Sequence, residues 1–196
     1  MTPELLAEIK KSLTDLFTSP PEEYKRSQIV EYGKKYNCDL LIETGTNRGD
    51  TLDAVKNYFA DSYSIELGPE LYRAAKERFI ANSHVHLMLG DAGDVLFWLL
   101  PNIAISRKIL FYLDAHSRYD ETSPEGKGVG TSAPREIQAI SKIRPNSIVL
   151  IDDARLFSHQ FNTDWPRLDI LIQEIENLDL WSIELKLDMI RLTPKT

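Results

Sequence analysis

The sequence predicts an α/β fold, a Rossmann-like doubly wound sheet that is mostly parallel and stands behind N-terminal helices. Three observations predict it. Short apolar runs alternate with stretches of helical period between residues 39 and 177. Most of those runs end in or beside a carboxylate, as strands do when they open onto a ligand-binding rim. The length, 196 residues, supplies a sizeable core but is short of the roughly 250 residues of an eight-fold α/β barrel.

The elements follow in order. Leu5, Leu6, Ile9, Leu13 and Leu16 recur at helical spacing, and Ser19-Pro20-Pro21 then breaks the chain. A second helical stretch carries Ile29, Val30 and Tyr32 and runs to Gly33. Residues 39–43 are a short apolar run closing on an acid and followed by glycine, the pattern of a buried parallel strand entering a turn. Residues 50–60 follow as a helix, with Asp50 or Thr51 as its cap.

The alternation repeats from there. Residues 62–65, 85–89, 108–113 and 147–151 read as strands, and 69–82, 92–100, 134–143 and 165–177 as helices. Pro134 sits where proline suits the first turn of a helix. Residues 117–133 are rich in Ser, Thr, Gly and Pro and read as a loop. Residues 181–187 and 189–192 form two terminal strands joined by a tight turn. No linker or internal repeat divides the chain, so residues 1–36 are expected as a helical extension and 37–196 as one α/β domain.

Charge narrows the function classes. There are 30 acids against 23 bases, a net charge of -7, which argues against the clustered basic surface a nucleic acid requires. Residues 101–150 depart from the average, with 7 bases against 5 acids. No run approaches the roughly 20 apolar residues that span a bilayer, and the start of the chain has no signal-type apolar stretch. The one cysteine, Cys38, adjoins an apolar run and reads as buried, with no partner for an intrachain disulfide. These features predict a cytoplasmic protein with neither nucleic acid nor membrane as partner.

In an open parallel sheet, ligands bind beyond the carboxyl ends of the strands. The residues collected there are 43–51, Glu66, Gly90 and Asp91, Asp114 to Ser117, and Asp152 to Arg155. In Glu43-Thr44-Gly45-Thr46-Asn47-Arg48-Gly49-Asp50-Thr51, Gly45 permits a sharp turn and Gly49 a close approach of the next helix. The spacing is not the Gly-x-Gly-x-x-Gly of a pyrophosphate turn. Glu66 is placed either to accept from two ribose hydroxyls or to stand solvated at a helix start. Asp91, with the Ala92 backbone beside it, can face an adenine edge, cap the following helix, or do both.

The series Glu43-Thr44-Gly45 to Gly49, Glu66, Gly90-Asp91, Leu113-Asp114 and Ile151-Asp152-Asp153 resembles class I S-adenosylmethionine-dependent methyltransferases, over roughly residues 38–196. The resemblance implies a seven-stranded sheet with an antiparallel last strand, which the terminal hairpin suits. It also implies that Glu43, Gly45 and Thr51, with Gly49 closing the turn, surround the methionine part of the cofactor. Glu66 would hold the ribose, and Asp91 and Ala92 would read the adenine.

Asp114, Asp152 and Asp153 resemble the metal triad of catechol-type and macrocin-type O-methyltransferases, where Mg²⁺ lowers the pKa of a substrate hydroxyl and orients it. The other reading gives Asp152 and Asp153 to loop backbone and Asp114 to the cofactor amine. Asp114-Ala115-His116-Ser117 departs from both families and puts His116 beside the acceptor as a candidate general base. No Asp-Pro-Pro-Tyr motif of base-modifying enzymes is present.

The leading reading is therefore methyl transfer to a hydroxyl of a small molecule, a sugar or secondary metabolite. Gly126, Gly128, Gly130, Arg118, Lys127 and Arg135 suggest a basic loop closing over an anionic acceptor, or else a solvated loop. Phe157 and Phe161 could line the acceptor pocket, while Trp98, Phe111, Tyr112, Trp165 and Trp181 read as packing. Two other functions remain open. One is a silent methyltransferase-fold binding protein, docking or forming homo-oligomers through Tyr24, Ile29, Val30 and Tyr32. The other is a nicotinamide-dependent oxidoreductase, against which the glycine spacing argues.

Overall fold

The structure is a computed structural model and describes residues 14, 18–115, 130–157 and 165–195. The helix expected over residues 5–16 falls, apart from residue 14, outside them. The first described helix, α1 (Glu22–Lys35), has acids in its first turn and lysines in its last, the order that complements the helix dipole. It continues through Gly33 instead of ending there. A Cβ at that position would lie 2.9 Å from the Phe59 ring, so the glycine serves a close approach and not a stop.

Seven strands follow: β1 (Leu40–Thr44), β2 (Asp61–Glu66), β3 (Val85–Leu89), β4 (Ile109–Leu113), β5 (Ile148–Ile151), β6 (Trp181–Lys186) and β7 (Met189–Pro194). The helices between them are α2 (Asp50–Val55), α3 (Pro69–Arg78), α4 (Ala92–Leu99), α5 (Ala133–Ile143) and α6 (Leu168–Leu178). Several are shorter than their periodicity predicts. The α2 segment tightens into a 3-10 turn at Lys56–Tyr58 before Phe59 turns extended into β2. The α6 segment cannot begin at Trp165, because Pro166 holds its predecessor out of helical geometry. Trp165 instead packs edge-on against Phe157, with ring centroids 4.8 Å apart.

The strand order is β3-β2-β1-β4-β5-β7-β6. All pairs are parallel except those made by β7, which runs antiparallel to β5 and β6. Side chains alternate between two cores. Leu40, Ile42, Phe111, Leu113, Val149 and Ile151 pack against α4, α5 and α6. Leu41, Leu110, Tyr112, Ile148 and Leu150 pack against α1, α2 and α3. Both faces are covered, which is why the strands read as unbroken apolar runs. The hairpin turn between β6 and β7 puts both Leu187 and Asp188 at positive φ.

Register decides where the chemistry can lie. Thr44 stands opposite Ile65 on one side and Leu113 on the other, and Leu113 stands opposite Ile151. Four parallel strands therefore end level, and Gly45, Glu66, Asp114 and Asp152 follow them onto one rim. Among the described residues, no helix is long and apolar enough to cross a membrane.

The hairpin is anchored by Trp181, 2% exposed, whose indole N–H donates to the Ser147 carbonyl at 2.9 Å. Trp181→Ala is expected to destabilise the fold by about 3–5 kcal/mol, read as a lowered midpoint in urea denaturation.

Candidate active site at the carboxyl rim

The strand order reverses between β1 and β4, so a crevice opens where their ends part. Gly45 lies in that crevice at φ 86, and a Cβ there would come within 2.6 Å of the Asp114 carbonyl oxygen. The first turn and the fourth strand end thus touch through backbone, with room for no side chain. Gly49, at φ 80, occupies the cap position of α2, and no side chain caps that helix. The expected caps do other work: Asp50 accepts from Arg78 at 2.6 Å, and Thr51 is half-buried in the first turn.

Glu43 is 2% exposed. The Ser64 hydroxyl donates to it at 2.5 Å and lies 2.6 Å from the Thr46 hydroxyl. Burial pushes the Glu43 carboxyl up to about 8, and the charges of Asp114 and Glu66 push the same way against the Ser64 hydrogen bond. Glu66 accepts the Asn47 N–H at 2.7 Å and the Gly68 N–H at 2.8 Å. It pins the glycine turn to the end of β2. A carboxylate has about four acceptor sites, so capacity remains for ribose hydroxyls.

Asp91 caps α4, its Oδ1 accepting the Asp94 N–H at 3.1 Å and Arg135 at 3.0 Å. The capping alternative is the one the structure displays, with Ala92 buried behind it. Arg135 also pairs with Asp94, so this base is turned to α4. His116, Arg118, Gly126, Lys127, Gly128 and Phe161 lie outside the described residues.

One site residue escapes sequence reading. Glu136, in the first turn of α5, is 0% exposed. It accepts from the Ser132 hydroxyl at 2.5 Å and from the Thr44 hydroxyl at 3.4 Å. Burial pushes it up to about 7, against those two bonds, with Asp91 and Asp114 adding to the rise. Because successive strand residues face opposite ways, Glu43 and the Thr44–Glu136 pair flank the end of β1 from its two faces. An acid in a first helical turn ordinarily serves the dipole, and nothing local in the sequence announces full burial.

The expected metal triad does not form. Asp152 accepts from the Tyr112 hydroxyl at 2.5 Å and from Lys25 Nζ at 2.8 Å, while its other oxygen takes the Asp153 N–H at 2.7 Å. Asp153 accepts from the same Lys25 Nζ at 3.2 Å and from Arg155 at 2.7 Å. Among the described residues, no group of three His, Cys, Asp or Glu side chains could hold a metal ion. The physical reason is that two cationic side chains already meet the acid pair, and the donor set left over does not suit a hard octahedral ion.

Asp114 stands close enough to Glu43 and Glu136 to add to the rise of both. Between the ends of β4 and β5 a pocket remains, walled by Asp114, Thr131, Glu136, Asp152, Phe157 and Trp165. Cys38 is buried, and burial pushes its thiol up to about 11, so it is inert.

No family model matches the chain, and no curated protein matches it. Solved structures do. The methyltransferase PaMTH1 of Podospora anserina, bound to S-adenosylhomocysteine, aligns with a TM-score of 0.65 at 14% identity, over 100% of this chain and 89% of its own. The O-methyltransferase of Bacillus cereus, in complex with S-adenosylhomocysteine, gives 0.63 at 14%, over 98% and 89%. The O-methyltransferase TomG of Streptomyces achromogenes, in complex with S-adenosylmethionine, gives 0.59 at 15%, over 88% and 79%. The chain therefore has the class I methyltransferase fold that the motif series implies.

The Glu43 carboxyl stabilises the fold while protonated. That contribution is complete below the ordinary glutamate value of about 4.5 and is lost as pH rises through about 8. Between pH 5 and 8 the wild type is expected to lose on the order of 4 kcal/mol relative to Glu43→Gln, measured by urea denaturation of both proteins across that range.

Proposed function

We propose that the protein is an S-adenosylmethionine-dependent methyltransferase acting on a hydroxyl of a small molecule of the sugar or secondary-metabolite class. The observation that carries this reading is the pair of buried acids, Glu43 and Glu66, on either side of a glycine turn whose backbone approach a Cβ would block. The residues fit such a cofactor. Its ammonium and sulfonium are cationic, and its ribose presents two hydroxyls.

The cofactor supplies a methyl group on a positive sulfur, which an acceptor oxygen displaces in line. The protein's part is positional. Glu43, Gly45 and Thr51 would bound the methionine end, with Gly49 admitting α2 closely and Asp114 completing the anionic wall. Glu66 would accept from the ribose while holding the turn through Asn47. Asp91 and the Ala92 backbone would meet the adenine at the start of α4.

The acceptor would enter between Phe157, Trp165 and Glu136, and His116 is proposed to take its proton. Arg118 and Lys127 are proposed to face an anionic part of it. Because the acid pair 152–153 does not fit Mg²⁺, no step is assigned to a metal.

The state of Glu43 gives the reading a direct test. A carboxyl held at about 8 is mostly protonated at pH 7, and a cationic ammonium set against it drives the proton off. S-adenosylhomocysteine, which keeps that ammonium, is expected to bind with proton release that Glu43→Gln lowers by about 0.9 per site. Titration calorimetry in buffers of differing ionisation enthalpy measures it. Failure of S-adenosylhomocysteine to bind at millimolar concentration would sink the proposal.

A further inference from the structure

The two acids that the fold's metal-dependent relatives would offer to a divalent ion here converge on one nitrogen. Lys25 Nζ lies 2.8 Å from Asp152 Oδ2 and 3.2 Å from Asp153 Oδ1. The lysine is 5% exposed although it stands in the second turn of α1. Burial alone would lower its ammonium, but Asp152, then Asp153 and Glu22, outweigh that and hold it protonated.

The helix that carries it is fixed from several sides. Ile29 and Tyr32 lie in the core, and the buried Arg191 of β7 donates to Gln28 at 3.3 Å and to the Tyr24 hydroxyl at 3.4 Å. The acids are fixed as well. Tyr112 donates to Asp152, and Arg155 ties Asp153 to Asp188 in the β6–β7 turn. Asp153 sits at φ 55, a left-handed conformation uncommon outside glycine but one that aspartate adopts more readily than most residues.

Two carboxylate oxygens aimed at one point, one of them also taking the Tyr112 hydroxyl, form part of a hard-cation site. A lysine ammonium is a compact cation that the polypeptide can place at that point permanently. We propose that Lys25 is a built-in cation occupying the divalent-ion position of this fold, so that α1 is part of the site and the acid pair is set without metal. Lys25 does not line the pocket, whereas Asp152 does, so it is a positioning residue that acts through Asp152. The occupancy itself stands without the functional reading above. That methyl transfer needs no added divalent ion rests on it.

The geometry makes a distinctive forecast for the lysine's removal. Lys25→Ala leaves buried Asp152 without a counter-cation and Asp153 held by Arg155, with an open volume between them, and it should thereby create a divalent site where none existed. The probe is Mn²⁺, followed by its electron paramagnetic resonance signal and by thermal unfolding. Wild type is expected to show no Asp152-dependent Mn²⁺ binding. Lys25→Ala is expected to have a lowered Tm that millimolar Mn²⁺ largely restores, with one ion bound. The double variant K25A/D152N is expected to lose that ion.

Mn²⁺ bound by wild type and released by Asp152→Asn would overturn the proposal, and so would a folded Lys25→Ala that binds none. If Lys25→Ala folds only with Mn²⁺ present, that is the same rescue in stronger form. If it folds under neither condition, the wild-type comparison decides alone. Calorimetry with S-adenosylhomocysteine on the same wild-type sample separates a failure here from a failure of the methyltransferase reading.

Discussion

Carboxylates gathered at the end of a low-dielectric sheet repel one another, and the register of β1, β2, β4 and β5 leaves them no choice of neighbour. Thr44, Ile65, Leu113 and Ile151 stand level, so every acid just beyond them shares one rim. Each such acid must be protonated, given hydrogen-bond donors or given a counter-charge, since an ionised carboxylate stripped of water is costly. The structure uses all three remedies. Glu43 and Glu136 are pushed towards the neutral form by burial. Glu66 and Asp91 take backbone N–H groups, and the pair 152–153 takes Lys25 and Arg155.

The remedies divide the rim into two parts with different chemistry. Around β1 the acids are neutral or held by weak donors, and an arriving cation improves their lot. Around β5 they already hold fixed cations. The first part is suited to a positively charged ligand that comes and goes, the second to a permanent wall. The pocket between Asp114, Glu136 and Asp152 lies where the two meet.

Much of the architecture was legible because it rests on local signals. Continuous apolar runs such as 109–113 and 148–151 announce strands buried on both faces, and residues 85–89 were bounded correctly. The terminal hairpin was readable from its two runs and the turn between them. Helix ends were read less well, because a core aromatic such as Phe59 or a prolyl restraint at Pro166 acts against periodicity. Within the site, the positions of Glu43, Gly45, Glu66 and Asp91 were readable as strand ends. The partners of the acids were not. Asp152-Asp153 looked like a metal pair because the residue type was visible and its counter-charge, on a helix far back in the chain, was not. Glu136 was hidden for the related reason that burial belongs to the packed fold and not to the residue.

The contact between Lys25 and Asp153 spans 128 residues of chain. α1 precedes every described strand, yet the groups that fasten its polar side lie in the loop after β5 and on β6 and β7. Contacts this distant in sequence close late because the intervening chain must first lose its freedom. The polar side of the first described helix is thus secured only after those distant elements have formed, and the rim acquires its internal cation only when the sheet that needs it is in place.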